Sequence, residues 1–400
     1  MKRVVITGIG IISSLGNTLE NVLLSLKTLK SGIVFSPSMK NFGMKSQVCG
    51  HIECDDHVDR SLLKFMNISS FYSYVAMKDA IQDSDLKKKT YQKNHRVGII
   101  VGVGCNSFYS DINDYYKMKI NPNLLIKNMF SNVSSCLSTF YKIFGISYSM
   151  STACATSSSC IHNAVELIQC GKQDIIFAGG SEELNCILSY QFDIMKLLSV
   201  KYNHIPQKSS RAYDLYRDGF VISGGSGIIV LEELQHALNR KAKIYAEIVS
   251  CGMASDGMNM IKPSGFGLQR AMSIAIKKSR FLCIEYINTH GTSTKIGDVI
   301  ELESIHNVFK NHIPYISSTK SITGHALGAS GVQEVIYTIL MLNNNFIAPS
   351  INIDTLDPFA RNMNIVKNDI KELVFSVAMS NSCGFGGSNV SIIIKKYCNI

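Results

Sequence analysis

The chain has 400 residues, of which 46% are hydrophobic and 18% are charged, and its formal net charge is +10. A chain of this length and composition can bury a large core, which excludes a disordered protein and a single small domain. The positive charge permits an acidic protein partner, a nucleic acid or a membrane surface. The densest basic run, 86–96, is typical of a solvated helix end, so nucleic-acid binding is not expected.

The opening segment, MKRVVITGIGIISSLG, superficially resembles a signal peptide. Gly8 and Gly10 interrupt its apolar stretch, and no small-residue cleavage site follows. No run of about 18 apolar residues occurs, so no membrane span is expected. The twelve cysteines are scattered without a C-x-x-C pair. These features predict a reduced, soluble, cytoplasmic protein.

The same segment approaches a dinucleotide-binding fingerprint. Residues 8–13 read GIGIIS, so the third glycine of G-x-G-x-x-G is missing. No acidic residue clearly ends a second strand about 20 residues later. Nucleotide binding is therefore not expected.

Short β-branched runs, each ending in Gly or a small residue, predict buried strands at 3–10, 96–104, 146–152 and 174–180. Between the last two, apolar residues recur at helical spacing from Ile161 to Ile168 and predict a helix that stops at Gly171. A strand, a helix and a strand within about 35 residues form a βαβ unit, which predicts an α/β fold with parallel pairing.

The second part of the chain repeats this plan. Further strands are predicted at 243–257, 283–291, 313–319, 373–382 and 389–397. The first of these resembles the opening strand and its glycine-bearing loop. We therefore predict two similar halves, 1–245 and 246–400. The stretch 105–140 fits neither half and is predicted to be a capping insertion.

Cys154 lies where a predicted strand gives way to a predicted helix. Its sulfur would lie near unpaired backbone N–H groups and the positive end of the helix, both of which lower a thiol's pKa. The small neighbours Ala153 and Ala155 leave room for a substrate. The alternative is a cysteine that only replaces Ala or Ser in the core.

Two histidines lie in comparable positions. His290 ends a predicted strand, and His325 follows another. Ligands collect at the carboxyl ends of strands in open α/β sheets. Either histidine alone would more often be structural, but with Cys154 they predict a shared reactive site.

Six segments carry a resemblance to a known family: VVITGIGIISSLGN, STACATS, YRDGFVISGGSG, NTHGTSTKIGD, STKSITGHALGASGVQE and MSNSCGFGGSN. Through them the chain resembles, from end to end, the β-ketoacyl-[acyl-carrier-protein] synthases of the thiolase-like superfamily. The glycine stretch GFVISGGSG and the segment AGGSEEL are more similar to the synthase I type than to synthase II. The resemblance implies a layered α-β-α-β-α fold of two similar α/β halves.

The activity that the resemblance implies is decarboxylative Claisen condensation with malonyl-acyl carrier protein, which lengthens a fatty acyl chain by two carbons. Cys154 would hold the acyl chain as a thioester, and the N–H groups of Cys154 and Phe385 would stabilise the oxyanion. His290 and His325 would stabilise the enolate, and Phe385 would also gate the acyl pocket. No cofactor and no metal are implied, because the substrates are carried on phosphopantetheine.

The resemblance also assigns supporting residues. Lys320 and Glu301 match a supporting pair near the histidines, and Thr292 and Thr294 match positions that bond the pantetheine arm. Cys383 stands where the family usually has Phe. It is interpreted as packing drift, as a less rigid gate or, as in thiolases, as a second active-site cysteine.

An acidic acyl carrier protein and a second copy of the chain are the implied partners. The residues that resemble the carrier-docking surface are Arg60 and Lys64 and, more loosely, Lys117, Lys119 and Lys127. Ser61 stands where a basic residue is common. In the implied homodimer, the neighbouring subunit completes the acyl pocket.

Several functions remain open beside the synthase I type. They are a synthase II-type elongation enzyme, a non-decarboxylative thiolase and a non-catalytic partner subunit of the same fold. The two histidines argue against a thiolase, which typically pairs one histidine with two cysteines. The retained Cys154 argues against a non-catalytic subunit.

Overall fold

A computed structural model describes residues 1–56, 58, 60–105, 122–280, 282–310 and 312–398. The strands are β1 (Val4–Ile12), β2 (Ile33–Phe35), β3 (Val48–Gly50), β4 (Val97–Val103), β5 (Ser147–Tyr148), β6 (Ile175–Glu182), β7 (Gly225–Glu233), β8 (Ala246–Ser255), β9 (Tyr286–Asn288), β10 (Tyr315–Ser317), β11 (Phe346–Ile347), β12 (Lys371–Glu372), β13 (Val377–Gly384) and β14 (Ser388–Lys396).

The helices are α1 (Leu19–Thr28), α2 (Pro37–Asn41), α3 (Arg60–Leu63), α4 (Ile68–Asp83), α5 (Lys88–Tyr91), α6 (Leu124–Asn128), α7 (Asn132–Tyr141), α8 (Thr156–Gln169), α9 (Cys186–Ile194), α10 (Leu234–Asn239), α11 (Phe266–Lys278), α12 (Lys295–Phe309), α13 (Lys320–Thr323) and α14 (Ser330–Asn344). Within the described ranges, no helix has the length and apolar character needed to cross a membrane.

Two groups of five described strands have the same topology. The first group has the order β5-β4-β6-β7-β1, and the second has the order β10-β9-β13-β14-β8. In both, the first three strands are parallel and the last two are antiparallel to their neighbours. Strands β1 and β8 pair antiparallel through Val4–Ile6 and join the groups. The predicted parallel pairing and the predicted repeat of the plan are therefore confirmed.

Helices fill the space between the groups and cover their outer faces. The central helix α8 packs on β6 and β4 on one side and on β14 and β8 on the other, and α14 lies beside it between β7 and β13. Helices α4 and α7 cover the first group, and α11 and α12 cover the second. This arrangement is the layered α-β-α-β-α core that the family resemblance implied.

Burial explains the sequence patterns of the central elements. All nine residues of β1 are buried, as expected for a strand covered on both faces. In α14, every residue from Ser330 to Leu342 is buried, including polar ones. In a helix that is enclosed on all sides, apolar residues occur on every face rather than along a single stripe.

The region 105–140 differs in part from its prediction as a cap. Residues 106–121 lie outside the described residues. Helix α7 packs on α4 and β4, and its Val133 and Leu137 are fully buried. Because these side chains lie one helical turn apart on a core-facing stripe, α7 belongs to the outer layer of the first group, and the cap prediction is wrong there.

Candidate active site

A cavity of about 380 Å³ is lined by residues from both strand groups, including Cys154, His290 and His325. The sulfur of Cys154 and one ring nitrogen of each histidine lie within 4.8 Å of one another. The structure therefore brings together the three reactive side chains that the sequence predicted to share a site.

Cys154 lies between the two-residue strand β5 and α8, which begins at Thr156. The pKa of the Cys154 thiol is raised to about 12, mainly by burial and further by the Glu182 carboxyl, while the Lys320 ammonium opposes the rise. The expectation of a lowered thiol pKa is therefore wrong. Desolvation among apolar side chains such as Leu327 outweighs the favourable helix end.

Gly384 packs against the backbone of Thr152 and Cys154 beside this thiol. A Cβ atom on Gly384 would come within 2.3 Å of the Thr152 carbonyl oxygen and 3.4 Å of the Cys154 nitrogen. Only glycine allows this approach, which brings the next residue, Phe385, alongside Cys154. In the part of the chain that the structure describes, neither the Cys154 N–H nor the Phe385 N–H donates to a turn or loop carbonyl.

Glu301 fixes the turn that carries His290 after β9. Its carboxylate accepts the N–H of His290 at 2.8 Å and that of Gly291 at 2.7 Å. Burial lowers the pKa of His290 well below its ordinary value, and the charge of Lys320 adds to this effect. The imidazole is therefore neutral.

The contact with Lys320 fixes the tautomer of His290. The Lys320 ammonium lies 3.5 Å from His290 Nδ1. An ammonium can only donate hydrogen bonds, so Nδ1 is the acceptor and Nε2 carries the proton. His290 thus presents an N–H donor to the cavity.

Lys320 pairs with Glu334 on α14, whereas Glu301, the other residue expected to support the histidines, bonds the turn at His290. The ammonium contacts a Glu334 carboxylate oxygen directly, and both side chains are buried. Sequence reasoning missed Glu334 although it lies in the quoted segment GASGVQE. The available signal was a carboxylate in an otherwise apolar helix, because a buried charge requires a partner.

His325 does not follow β10 directly, because α13 lies between them. Backbone hydrogen bonds like those between strands hold it instead. Its N–H donates to the Val221 carbonyl at 2.7 Å, and its carbonyl accepts the Ser223 N–H at 2.9 Å. The imidazole ring is perpendicular to that of His290, with the centroids 5.1 Å apart. The segment 221–223, for which no strand was predicted, therefore positions one of the two histidines.

The His325 ring forms a hydrogen bond with Ser330 at the start of α14. His325 Nδ1 lies 2.8 Å from Ser330 Oγ. Burial lowers the pKa of His325 well below its ordinary value, with a smaller contribution from Lys320. A hydroxyl can donate or accept, so Ser330 permits either neutral tautomer of this ring.

Glu182 is a second buried carboxyl that sequence reasoning missed, in the quoted segment AGGSEEL. It accepts the N–H groups of Gly104, Cys105 and Gly328 at 3.0, 3.1 and 2.9 Å. Burial raises the pKa of Glu182 to about 8, against the effect of these bonds. Its carboxyl joins two loops beside Cys154.

The remaining predicted side chains also line the cavity. The hydroxyls of Thr292 and Thr294 lie 3.1 Å apart. Phe385 is 38% exposed and precedes Gly386, whose φ of 79° lies in the left-handed region. Cys383 lines the same wall, and burial raises the pKa of its thiol well above the ordinary value.

Of the predicted docking residues, Arg60, Lys64 and Lys127 are described by the structure and do not line the cavity. Arg60 and Lys64 are exposed on and after α3, and Lys127 is half-buried on α6. The Asn132 amide joins the two segments by donating to the carbonyls of Phe65 and Ile126. Lys117 and Lys119 lie outside the described residues.

Two family models match the chain. "Beta-ketoacyl synthase, N-terminal domain" matches residues 1–237, and "Beta-ketoacyl synthase, C-terminal domain" matches residues 245–354. The chain is 56% identical to a 3-oxoacyl-[acyl-carrier-protein] synthase 1 of Buchnera aphidicola subsp. Baizongia pistaciae, covering 99% of this chain and 100% of the relative. It is 50% identical to the protein of that name in Escherichia coli (strain K12), covering 99% of both.

Solved structures show the same similarity. A β-ketoacyl synthase from Burkholderia phymatum STM815 superposes with a TM-score of 0.94 at 32% identity, covering 100% of both chains. A ketosynthase chain solved with a type II polyketide synthase acyl-carrier protein gives a TM-score of 0.86 at 27% identity, covering 99% of this chain and 100% of that one.

Proposed function

The chain belongs to the β-ketoacyl synthase family, and we propose that Cys154, His290 and His325 carry out its reaction. It is a condensing acyltransferase of the 3-oxoacyl-[acyl-carrier-protein] synthase 1 type, which elongates fatty acyl chains by two carbons. The observation that supports the residue assignment is the approach of the three side chains to within 4.8 Å.

In the first half-reaction, Cys154 takes the acyl chain from its carrier. The sulfur attacks the thioester carbonyl, and the carrier thiol leaves with the proton that Cys154 loses. Because the thiol starts protonated, a base must accept that proton. His325 is suited to this role, since Ser330 can accept from Nδ1 and leave Nε2 free.

The tetrahedral intermediate of this step carries a negative oxygen. Because Gly384 packs against the Cys154 backbone, the N–H groups of Cys154 and Phe385 are suited to share this oxygen. A donor of this kind is typically worth about 10²–10³-fold in rate. We assign these two groups as the oxyanion hole.

In the second half-reaction, the malonyl group loses CO₂ and leaves an enolate on the carrier thioester. His290 donates from Nε2. His325 donates from Nε2 in its second neutral tautomer, in which a proton has moved from Nδ1 to Nε2 and Nδ1 accepts the Ser330 O–H. The carbanion then attacks the acyl-Cys154 carbonyl. The 3-oxoacyl product stays on the carrier, and the Cys154 thiolate that leaves takes up a proton.

The supporting residues act through the histidines and the substrate arm. Lys320, held by Glu334, keeps His290 neutral and in its donor tautomer. Thr292 and Thr294 are proposed to bond the pantetheine arm, since their hydroxyls line the cavity. Phe385 is proposed to gate the acyl pocket.

A metal site is a second interpretation of the same three side chains. A cysteine and two histidines can hold Zn²⁺, and their donor atoms are close enough. The Lys320 ammonium, 3.5 Å from His290 Nδ1, opposes a divalent cation at that position. We therefore propose a reaction that needs neither metal nor cofactor.

We further propose the partners and units that the family implies. An acidic acyl carrier protein docks near Arg60 and Lys64, and residues 1–245 and 246–400 form two domains with the same strand order. The exposed apolar side chains of Leu125 and Met129 suit a homodimer interface. All twelve cysteines are free thiols, which suits the cytoplasm.

An elongation assay tests this function. Acyl-carrier proteins of graded chain length, saturated and cis-unsaturated, are supplied with malonyl-acyl carrier protein. We expect products longer by two carbons with release of CO₂. Elongation from acetyl-coenzyme A without malonate would instead indicate a thiolase, and the absence of elongation with every donor would overturn the proposal.

A further inference from the structure

Three lysines line the open end of the active-site cavity: Lys196, Lys262 and Lys295. They come from separate segments, namely the turn after α9, the loop after β8 and the first residue of α12. All three are exposed. They therefore lie where the cavity that contains Cys154 meets solvent.

The acidic residues at this entrance are already satisfied by neutral donors. Asp218 accepts the Ser199 hydroxyl at 2.7 Å and the N–H groups of Val200 and Lys201, each at 2.9 Å. Asp256 likewise accepts bonds from the side chain and backbone of Ser264 and from a further backbone N–H. Because these donors are neutral, both carboxylates keep their negative charge while they fold their own loops.

The lysines themselves have no acidic partner. Among the described residues, no ion pair includes Lys196, Lys262 or Lys295. The three lysines outnumber the two carboxylates, Asp218 and Asp256, which leaves an excess of positive charge among the lining residues at this end of the cavity. An anionic group is the complementary ligand.

The backbone around two of these lysines is fixed. The Lys262 N–H donates to Asn259 Oδ1 at 3.0 Å, and the neighbouring Met260 carbonyl accepts the N–H of Gly386 at 2.8 Å. Arg217 donates to the Lys295 carbonyl at 2.9 Å. The backbone at the entrance is thus held in place before a ligand binds, which lowers the entropic cost of binding.

We propose that Lys196, Lys262 and Lys295 form a phosphate-binding collar for the pantetheine arm. This inference rests on the proposed function, in which a thioester reaches Cys154 at the end of that arm while Thr292 and Thr294 bond its middle. The far end of the arm carries phosphate. Lysine binds phosphate as a compact point charge, without the geometric demand of arginine.

Two donors share this chemistry. An acyl carrier protein presents one phosphodiester, whereas coenzyme A presents a pyrophosphate and a 3′-phosphate. Because coenzyme A carries more negative charge, the collar favours it more strongly. Acyl- and malonyl-coenzyme A thioesters are therefore substrates of this enzyme in addition to carrier-bound ones, and their binding weakens with added salt.

Direct binding of coenzyme A tests the collar without requiring turnover. The variant combines Lys196→Gly, Lys262→Gln and Lys295→Gln. Glycine is chosen because residue 196 has a φ of 59°, which glycine adopts without strain. The matched control, Lys88→Gln with Lys89→Gln and Lys277→Gln, removes the same charge from exposed lysines elsewhere.

Calorimetry at low salt should show coenzyme A binding about tenfold more weakly to the collar variant, since each exposed charge pair contributes modestly. Binding of phosphate-free pantetheine should not change, and the control should bind both as the parent does. An equal loss in the control, an equal loss for pantetheine or an unchanged affinity for coenzyme A would each overturn the proposal.

Steady-state measurements distinguish the two phosphate sources. The KM for malonyl-coenzyme A should rise more than that for malonyl-acyl carrier protein in the collar variant. A rise for the carrier alone, with coenzyme A binding unchanged, would mean that the lysines contact the carrier surface, and the collar would be wrong. A parent enzyme that condenses neither donor would refute the proposed function, while the calorimetric result would still decide the collar.

Discussion

Burial sets the protonation state of the three reactive side chains. It raises the pKa of the Cys154 thiol and lowers those of His290 and His325, so all three side chains are neutral. Each neutral imidazole has one N–H group that can donate a hydrogen bond to an enolate. The Cys154 thiol instead needs a base at the moment of acyl transfer.

The first prediction concerns pH. In Cys154→Ala, the two histidines should add no titration step to CO₂ release from malonyl-acyl carrier protein between pH 8 and pH 6, because both titrate well below the ordinary value of about 6.5. The lowered histidine pKa values also affect the stability of the fold. As the pH falls, the two histidines are protonated in the unfolded chain before they are protonated in the folded one. Their contribution to the free energy of unfolding is therefore present above about pH 6.5 and is lost as the pH falls toward the folded pKa. A fall in the rate of CO₂ release to half near pH 6.5 would contradict the assignment of two neutral histidines.

The second prediction concerns Cys383, which lines the cavity where the family usually has Phe. If it is packing drift, Cys383→Phe should keep turnover similar and raise the free energy of unfolding by up to about 1 kcal/mol by filling space. Cys383→Ser is the control for thiol chemistry. Loss of condensation in the Ser variant, with the fold intact by circular dichroism, would indicate a chemical role for the thiol.

At the scale of elements, Cys154, His290 and Phe385 follow strands directly, whereas His325 is separated from β10 by α13. The sequence predicted these strands and the buried helix from Ile161 to Ile168, because burial on both faces leaves a clear apolar signal. It did not predict β7, which begins with Gly225, Ser226 and Gly227. A Cβ on Gly227 would lie 2.8 Å from Val332 of α14, so packing against the central helix selects glycine against strand propensity.

Contacts between elements were the second limit of the sequence. Lys320 and Glu334 lie on different helices, and their pairing depends on how α13 meets α14. Motif resemblance supplied both segments and placed Lys320 and Glu301 near the histidines, but it did not show which carboxylate pairs with Lys320. In the structure, Glu301 instead holds the turn at His290.

The third prediction tests this ion pair. Glu334→Gln leaves the Lys320 ammonium buried without a counter-charge, which should lower the free energy of unfolding by about 3–5 kcal/mol. Glu303→Gln, on the exposed face of α12, should change it by less than about 0.5 kcal/mol. Urea denaturation measures both. Similar values for the two variants would mean that Glu334 is not the partner that Lys320 requires.

For the whole molecule, the sequence predicted two similar halves, and the structure gives both the same strand order. The order itself was beyond sequence reasoning, because hydrophobic patterns identify buried strands but not their neighbours. The junction between β1 and β8 and the two central helices place residues from both halves around one cavity.

The fourth prediction concerns carrier docking. Reversing the charges of Arg60 and Lys64 should raise the KM for acyl-acyl carrier protein, with a smaller effect on acyl-coenzyme A, because only the carrier presents an acidic surface. Lys88→Glu with Lys89→Glu is the matched control at exposed positions. Equal effects on both donors would make the docking assignment wrong.

The division of labour between Cys154 and the two histidines is tested most directly by measuring both half-reactions in the same variants. Radiolabelled acyl-enzyme reports acyl transfer, and CO₂ from malonyl-acyl carrier protein reports decarboxylation. Cys154→Ala should form no acyl-enzyme and no elongated product but retain some CO₂ release. His290→Ala should suppress CO₂ release while acyl transfer survives. His325→Ala should suppress CO₂ release and also slow acyl transfer. A His325 variant that releases CO₂ as fast as the parent would contradict the account.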